Sequence, residues 1–480
     1  MKTASATPLI SSPPLWLRLL LTLPLITPLI FPAAQAADRV QDKQTATHQT
    51  QSTASQTPPV GADDFSDLPS TALVRQALTL HPMVKAASAG VSVAEANQDR
   101  LNAGPHEFTL RVEGQRRRDV PLDTHYMEQT IGLERAIRMP GKSAIDADLG
   151  KAGVNQAENA LGDAYHETAR LLLRRWFDWQ RGQLARHEWQ AQAAILQRQL
   201  DVAKKRVALG DAARIEQLQA EAQFAQALAQ QAQANTAAQL ATTEFTQQFP
   251  ALPLPVKTRL TTPKKLDIAA AKNAATEESA TGWQPPPEWM EKILTHNHEL
   301  STATATSRQQ QLIAKRVDAD RLPDPTIGVR AARERDGQER LFGMHISIPL
   351  PGAARAAASR AELAGVNAAA AREAQIKAKV EAEAQRTLIE AEASYKQWEQ
   401  LAAVSSRMTE TAELLDKAWR LGEGQFPDLQ FARRQAIDAR LAAVRAQADA
   451  NEAYYRVLLD AHELWAMDEH IDETGVEQKN

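Results

Sequence analysis

The chain has 480 residues, no cysteine, a formal net charge of −4 and 5% aromatic residues. The missing cysteines exclude disulfides, thiolate metal sites and a lipid-modified N-terminal cysteine. The near-neutral charge predicts neither nucleic acid nor a general anionic surface as partner, and scarce aromatics with abundant alanine favour long, close-packed helices over a broad globular core.

Lys2 and Arg18 precede an apolar run over 19–31, which leads to Ala34-Gln35-Ala36. A basic region, an apolar region and a small-residue site predict a secretory signal over 1–36. The run is short for a membrane span and is interrupted by Pro24 and Pro28. No later stretch is long and apolar enough to predict a membrane helix, so a chain of this kind that crosses a membrane must do so with strands. Residues 37–68 are rich in Gln, Thr, Ser and Ala without apolar period, and predict a flexible segment.

A first repeat is expected over 69–248. It opens with a helical pattern to about residue 102, broken locally at His81-Pro82 because proline disfavours helix in the residue before it. Strands are expected over about 107–138. Phe108, Leu110 and Val112 alternate with Thr109, Arg111 and Glu113. After a polar loop holding Arg116-Arg117-Arg118, Ile131, Leu133 and Ile137 alternate with Thr130, Glu134 and Arg138. Past Met139-Pro140-Gly141 a helix of about 65 residues is expected, on the order of 100 Å long. Leu161, Tyr165, Leu172, Trp176 and Trp179 form its apolar stripe. Leu209-Gly210-Asp211 ends it, and a second helix returns over 213–247.

A Pro- and Thr-rich passage, 249–287, reads as a linker, and a second repeat is expected over 288–468, with 469–480 as a tail. Its helical pattern covers 288–319 and its strands about 326–350. Phe342, Met344, Ile346, Ile348 and Leu350 fall on one face, Gly343, His345 and Ser347 on the other, with Asp336-Gly337 as the turn. A long helix over 354–421 carries the stripe Ile376, Val380, Ala384, Leu388, Ala391, Tyr395 and Trp398, and Leu421-Gly422-Glu423 turns into a last helix ending near Met467. From Pro-Gly to Leu-Gly is about 70 residues in both halves, so the chain reads as an internal duplication.

Alternating strands with one apolar and one polar face suit a membrane barrel, and equally suit a soluble hairpin packed on helices. Four strands leave open edges, and barrels begin at about eight strands. The membrane reading therefore requires more than one chain. The long helices predict coiled-coil packing. No Ser/His/Asp constellation, phosphate loop or carboxylate pair is present, so neither an enzyme nor a cofactor is predicted. His296 and His298 could ligate metal, but a solvated helix start is the plainer reading, and His345 is expected to face the barrel lumen.

Taken together the chain resembles the TolC-type outer-membrane efflux proteins from about residue 70 to 467. The resemblance rests on Ala77-Leu78 with His81-Pro82, on Arg138-Met139-Pro140-Gly141-Lys142, on Pro349-Leu350-Pro351-Gly352, and on the two tips. These read Arg206-Val207-Ala208-Leu209-Gly210-Asp211 and Trp419-Arg420-Leu421-Gly422-Glu423-Gly424-Gln425-Phe426-Pro427-Asp428-Leu429. It implies a mainly α fold with a membrane β part: a homotrimer of duplicated helix–hairpin–long helix–helix repeats, with a twelve-stranded β-barrel continued by a periplasmic helical barrel. It implies an outer-membrane location, and as partners a periplasmic adaptor, an inner-membrane pump and outer-membrane lipid, with no nucleic acid. The adaptor-docking tips map to Leu209, Gly210, Asp211, Leu421, Gly422 and Glu423. The acids that ring the periplasmic gate map to Asp428 and, in the first repeat, Glu216. The family's second aspartate is Phe431 here. The Gln-Phe-Pro-Asp-Leu tip leans towards the cobalt–zinc–cadmium resistance branch. Multidrug efflux, type I protein secretion and a non-channel coiled-coil envelope protein stand as alternatives.

Overall fold

The computed structural model describes residues 67–256, 258, 260–266 and 286–465. The expected signal, most of the expected flexible segment, much of the linker and the tail lie outside them.

Between 142 and 208 and between 353 and 420 the sequence has no proline and is rich in Ala, Gln, Glu and Arg, the best helix formers. These stretches are α3 (Lys142–Ala208) and α7 (Ala353–Arg420), of 67 and 68 residues. Each is preceded by a 22-residue helix, α2 (Pro82–Ala103) or α6 (His298–Ala319), and followed by a 35-residue helix, α4 (Arg214–Gln248) or α8 (Phe426–Asp460). Short helices α1 (Thr71–Leu80) and α5 (Pro287–Thr295) open the two halves. The duplication is thus visible element by element.

The strands are β1 (Thr109–Asp119), β2 (Thr124–Ala136), β3 (Thr326–Glu334) and β4 (Glu339–Ser347). They form one antiparallel sheet in the order β1-β2-β3-β4, so the two hairpins join through β2 and β3. The register aligns Leu110, Leu133, Val329 and Met344 in one row, and Val112, Ile131, Ala331 and Phe342 in the next. One face is therefore apolar across all four strands. The opposite face carries Arg111, Glu113, Glu134, Arg330 and His345 in the alternate rows. The apolar face is uncovered: Val112 is 68% and Phe342 77% exposed.

Three boundaries differ from the sequence reading. Arg116-Arg117-Arg118 lies in β1, not in the loop, because β2 continues as its partner through Met127, Tyr126 and His125. The helix expected over 288–319 is broken at His296-Asn297, where the Asn297 side chain accepts from Leu300 N at 2.8 Å and starts a new helix. The last helix stops at Asp460, after which the chain folds back and Trp465 enters the core.

The long helices pack in antiparallel pairs, α3 with α4 and α7 with α8, with α2 and α6 alongside, and α3 touches α6 and α8 of the other half. Expected stripe residues Leu172, Trp176 and Trp179 are buried with Phe177, Phe245, Phe249, Tyr455 and Leu458 in the largest core. Phe249 and Leu252 belong to this core, so the start of the passage between the repeats is packed. Val380, Ala384, Leu388 and Ala391 are buried on α7. At the centre, Asp67 accepts from Tyr455 Oη at 2.5 Å and Thr261 Oγ1 at 2.8 Å, and its carbonyl from Trp176 Nε1 at 2.8 Å. Burial first, then Asp67, pushes the Tyr455 phenol up, so it stays a donor. Among the described residues no helix is long and apolar enough to cross a membrane.

Candidate functional site

Three places in the fold hold the residues that bear on function: the polar face of the sheet, the joint between sheet and helices, and the two helix-turn-helix tips. On the polar face, Arg111 donates to Glu134 at 2.8 Å, and His345 Nε2 lies 3.2 Å from the same carboxylate. Gln115 Nε2 and Arg117 Nη1 reach Glu128 at 2.7 and 3.2 Å. His345 thus sits on the polar side, where its alternation with Met344 and Ile346 places it. These groups satisfy one another's hydrogen-bonding capacity across the strands.

The joint follows from Arg138-Met139-Pro140-Gly141-Lys142 and from Leu322-Pro323-Asp324-Pro325. Proline at 323 and 325 keeps this second stretch extended and free of helix. Lys142 is 2% exposed, and its ammonium donates to Leu322 O at 2.7 Å and to Asp324 at 2.8 Å, with Asp320 also at 2.8 Å. Asp324 further accepts from Met139 N at 3.0 Å and sits 2.7 Å from His106 Nε2. Burial opposes its ionisation, but these bonds outweigh burial and hold the carboxyl down to about 2. Arg138 reaches Asp146 at 2.8 Å and the carbonyls of Leu101 and Asn102 at the end of α2. The strands are therefore anchored to α2, α3 and α6 by charge-assisted hydrogen bonds.

The tips are built alike. Gly210 N donates to Val207 O and Asp211 N to Arg206 O, at 3.1 and 2.9 Å; Gly422 N and Glu423 N repeat this on Trp419 O and Ala418 O, at 3.1 and 3.0 Å. These are Schellman ends, with the glycines at φ 82° and 80°, where a side chain would be strained. Leu209 and Leu421 project at the turns, 76% and 69% exposed, beside exposed Asp211 and Glu423. Behind them Trp419, Phe426, Leu429, Leu200, Ala203 and Ala220 form a small core joining both halves. Arg206 lies over the Trp419 ring, 5.2 Å from its centre.

Glu216 and Asp428 occupy the same place, the third residue of α4 and of α8, where a helix N-terminus favours an anion. Their surroundings differ. Glu216 is half-buried and 3.6 Å from Arg206, whereas Asp428 is exposed. Phe431, one turn further along α8, is 65% exposed. Sequence reasoning missed the polar ties between halves above the tips. Asp416 accepts from Gln199 at 2.9 Å, and Arg440 donates to Glu188 at 2.5 Å. Partners more than 200 residues apart leave no local signal.

The chain thus carries a four-stranded sheet with open edges, one apolar face and one polar face, on helices up to about 100 Å long. The chain has the fold of the TolC-type outer-membrane channels, as solved structures show. The Campylobacter jejuni CmeC outer membrane channel superposes with a TM-score of 0.68 at 13% identity, over 82% of this chain and 85% of that one. The Vibrio cholerae outer membrane protein VceC gives 0.61 at 14% identity, over 81% and 95%. The open state of the Neisseria gonorrhoeae MtrE outer membrane channel gives 0.57 at 15% identity, over 82% and 89%. No family model and no curated protein matches the sequence.

Proposed function

We propose that this chain is one subunit of a homotrimeric outer-membrane duct, the exit of a tripartite efflux system. The observation that carries the reading is the four-stranded sheet whose apolar face and two outer edges are all unpartnered. Nine large side chains of that face, Leu110, Val112, Ile131, Leu133, Val329, Phe342, Met344, Ile346 and Ile348, are exposed. Burying them is worth on the order of 20 kcal/mol, and lipid is the medium that does so. Three copies would pair β1 of one chain with β4 of the next and leave no edge, as a bilayer demands.

In this reading the paired helices continue the barrel through the periplasm, and the polar face of the sheet wets the lumen. A periplasmic adaptor docks on the tips around Leu209-Gly210-Asp211 and Leu421-Gly422-Glu423, and an inner-membrane pump drives export, with no chemistry done by the duct. The cargo we favour is a heavy-metal cation. Three copies of exposed Asp428 in a narrow aperture attract cations and repel anions, while Glu216 is offset by Arg206.

Planar-bilayer recording tests this. The purified protein should form discrete cation-preferring channels, and Asp428→Asn should lower the cation preference more than Glu216→Gln does. Absence of discrete conductance would overturn the duct; unchanged selectivity in Asp428→Asn would remove it from the aperture.

A further inference from the structure

The apolar face of the sheet changes character as the strands run away from the helices. Beyond the rows of Leu110 and Val112, the same face carries Gly114, Gln129, Arg333 and Arg340 in the next row. Arg116 opposite Met127 follows, and then Arg118 opposite His125. These rows contain no acidic residue, and all four arginines are exposed.

The two faces treat arginine differently. On the polar face Arg111 and Arg117 are each paired with a glutamate. On the apolar face Arg118 reaches Asp123 of the β1–β2 turn at 2.7 Å, while among the described residues Arg116, Arg333 and Arg340 have no carboxylate at ion-pair distance. Arg333 and Arg340 stand directly across from one another on adjacent strands. Like charges so placed repel, and no acid in their row offsets them. An anion lying over both removes that repulsion, because guanidinium forks hold phosphate oxygens in pairs.

The position of these rows says where such an anion comes from. A charged side chain facing lipid is disfavoured at mid-bilayer and tolerated at headgroup level, so the change from apolar rows to arginine rows marks the end of the hydrocarbon. Arginine stems lie along the last apolar row while their heads remain among the headgroups. The rows are at the turn end of the hairpins, opposite the joint with the helices, which is the outer leaflet in the reading above. β1 and β4 are the outer strands of the sheet. Arg116, Arg118 and Arg340 therefore stand along the edges that the proposed ring brings together.

We propose that Arg116, Arg118, Arg333 and Arg340 form a basic belt that binds the phosphate groups of outer-leaflet lipid headgroups. The inference rests on the outer-membrane reading and adds to it the class of lipid held at the barrel wall, phosphorylated rather than neutral.

The test is native mass spectrometry of the full-length protein in neutral detergent, titrated with diphosphorylated lipid A and with its dephosphorylated form. The phosphorylated lipid should bind at least about tenfold more tightly. Arg333→Gln/Arg340→Gln should weaken its binding at least about tenfold, and Arg116→Gln/Arg118→Gln should weaken it too. Arg407→Gln, at an exposed position of α7, should leave it unchanged. Equal binding of the two lipids, unchanged binding by the folded belt variants, or an equal loss in Arg407→Gln overturns the belt. Inorganic phosphate in excess should not displace the lipid; displacement means a site for free phosphate and overturns the headgroup assignment. Thermal melts and particle mass show whether each variant is folded. Bilayer recording on the same preparation separates the two readings: a protein that conducts but binds both lipids equally overturns the belt and leaves the duct standing.

Discussion

The ammonium of Lys142 is closed off from solvent and contacts two carboxylates and one carbonyl, all from a single loop some 180 residues downstream. Removing one member of a buried charged network leaves the others uncompensated, at about 3 kcal/mol. Lys142→Met should therefore lower stability by about 3 kcal/mol in chemical denaturation in detergent, and a wild-type transition would refute the role of the joint. Asp324 adds a pH dependence. Its folded carboxyl is held at about 2, below the usual carboxylate value near 3.8. A depressed value stabilises the fold above the unfolded value, and that contribution disappears as pH falls from about 4 to 2. After solvent screening it is worth about 1 kcal/mol. Asp324→Asn should be less stable than the parent at pH 7 and should lose less on acidification, as melts between pH 7 and pH 3 would show; parallel pH profiles would contradict this.

At the scale of elements, each tip relies on a glycine at positive φ that lets the helix end while its carbonyls are still bonded. Gly422→Val should cost about 1–2 kcal/mol locally and raise hydrogen exchange in the turn and the start of α8, leaving the sheet unaffected; uniform exchange would argue against it. Charge reversal at Glu423 or Asp211 should lower crosslinking to the adaptor, and equal yields would count against docking there. The strands, long helices and glycine turns were legible because each has a local cause: period two, long proline-free stretches, and Leu-Gly punctuation. The arginine run was misplaced because arginine carries no strand signal of its own, and pairing to β2 decided the matter. At His296-Asn297-His298 a helix start was legible, as the Asn297 cap makes it, while the helical pattern assigned from 288 hid the end of α5 just before it. The Lys142 joint brings together residues distant in sequence, so its motifs were readable and their partners were not.

For the whole molecule, the matched helices of the two halves and the pairing of β2 with β3 make one continuous four-strand wall from two repeats. That wall ends in two bare edges, and its apolar side is open along its length. In the proposed reading, closure by symmetry completes the wall, and the gate acids and cargo would belong to the assembled ring; Asp428 and Glu216, alike in position, are distinguished by what surrounds them. The most direct test is the mass of the outer-membrane-extracted, detergent-solubilised protein by light scattering with native mass spectrometry. The account predicts membrane fractionation and a stable particle of three chains. A soluble, folded monomer would contradict it.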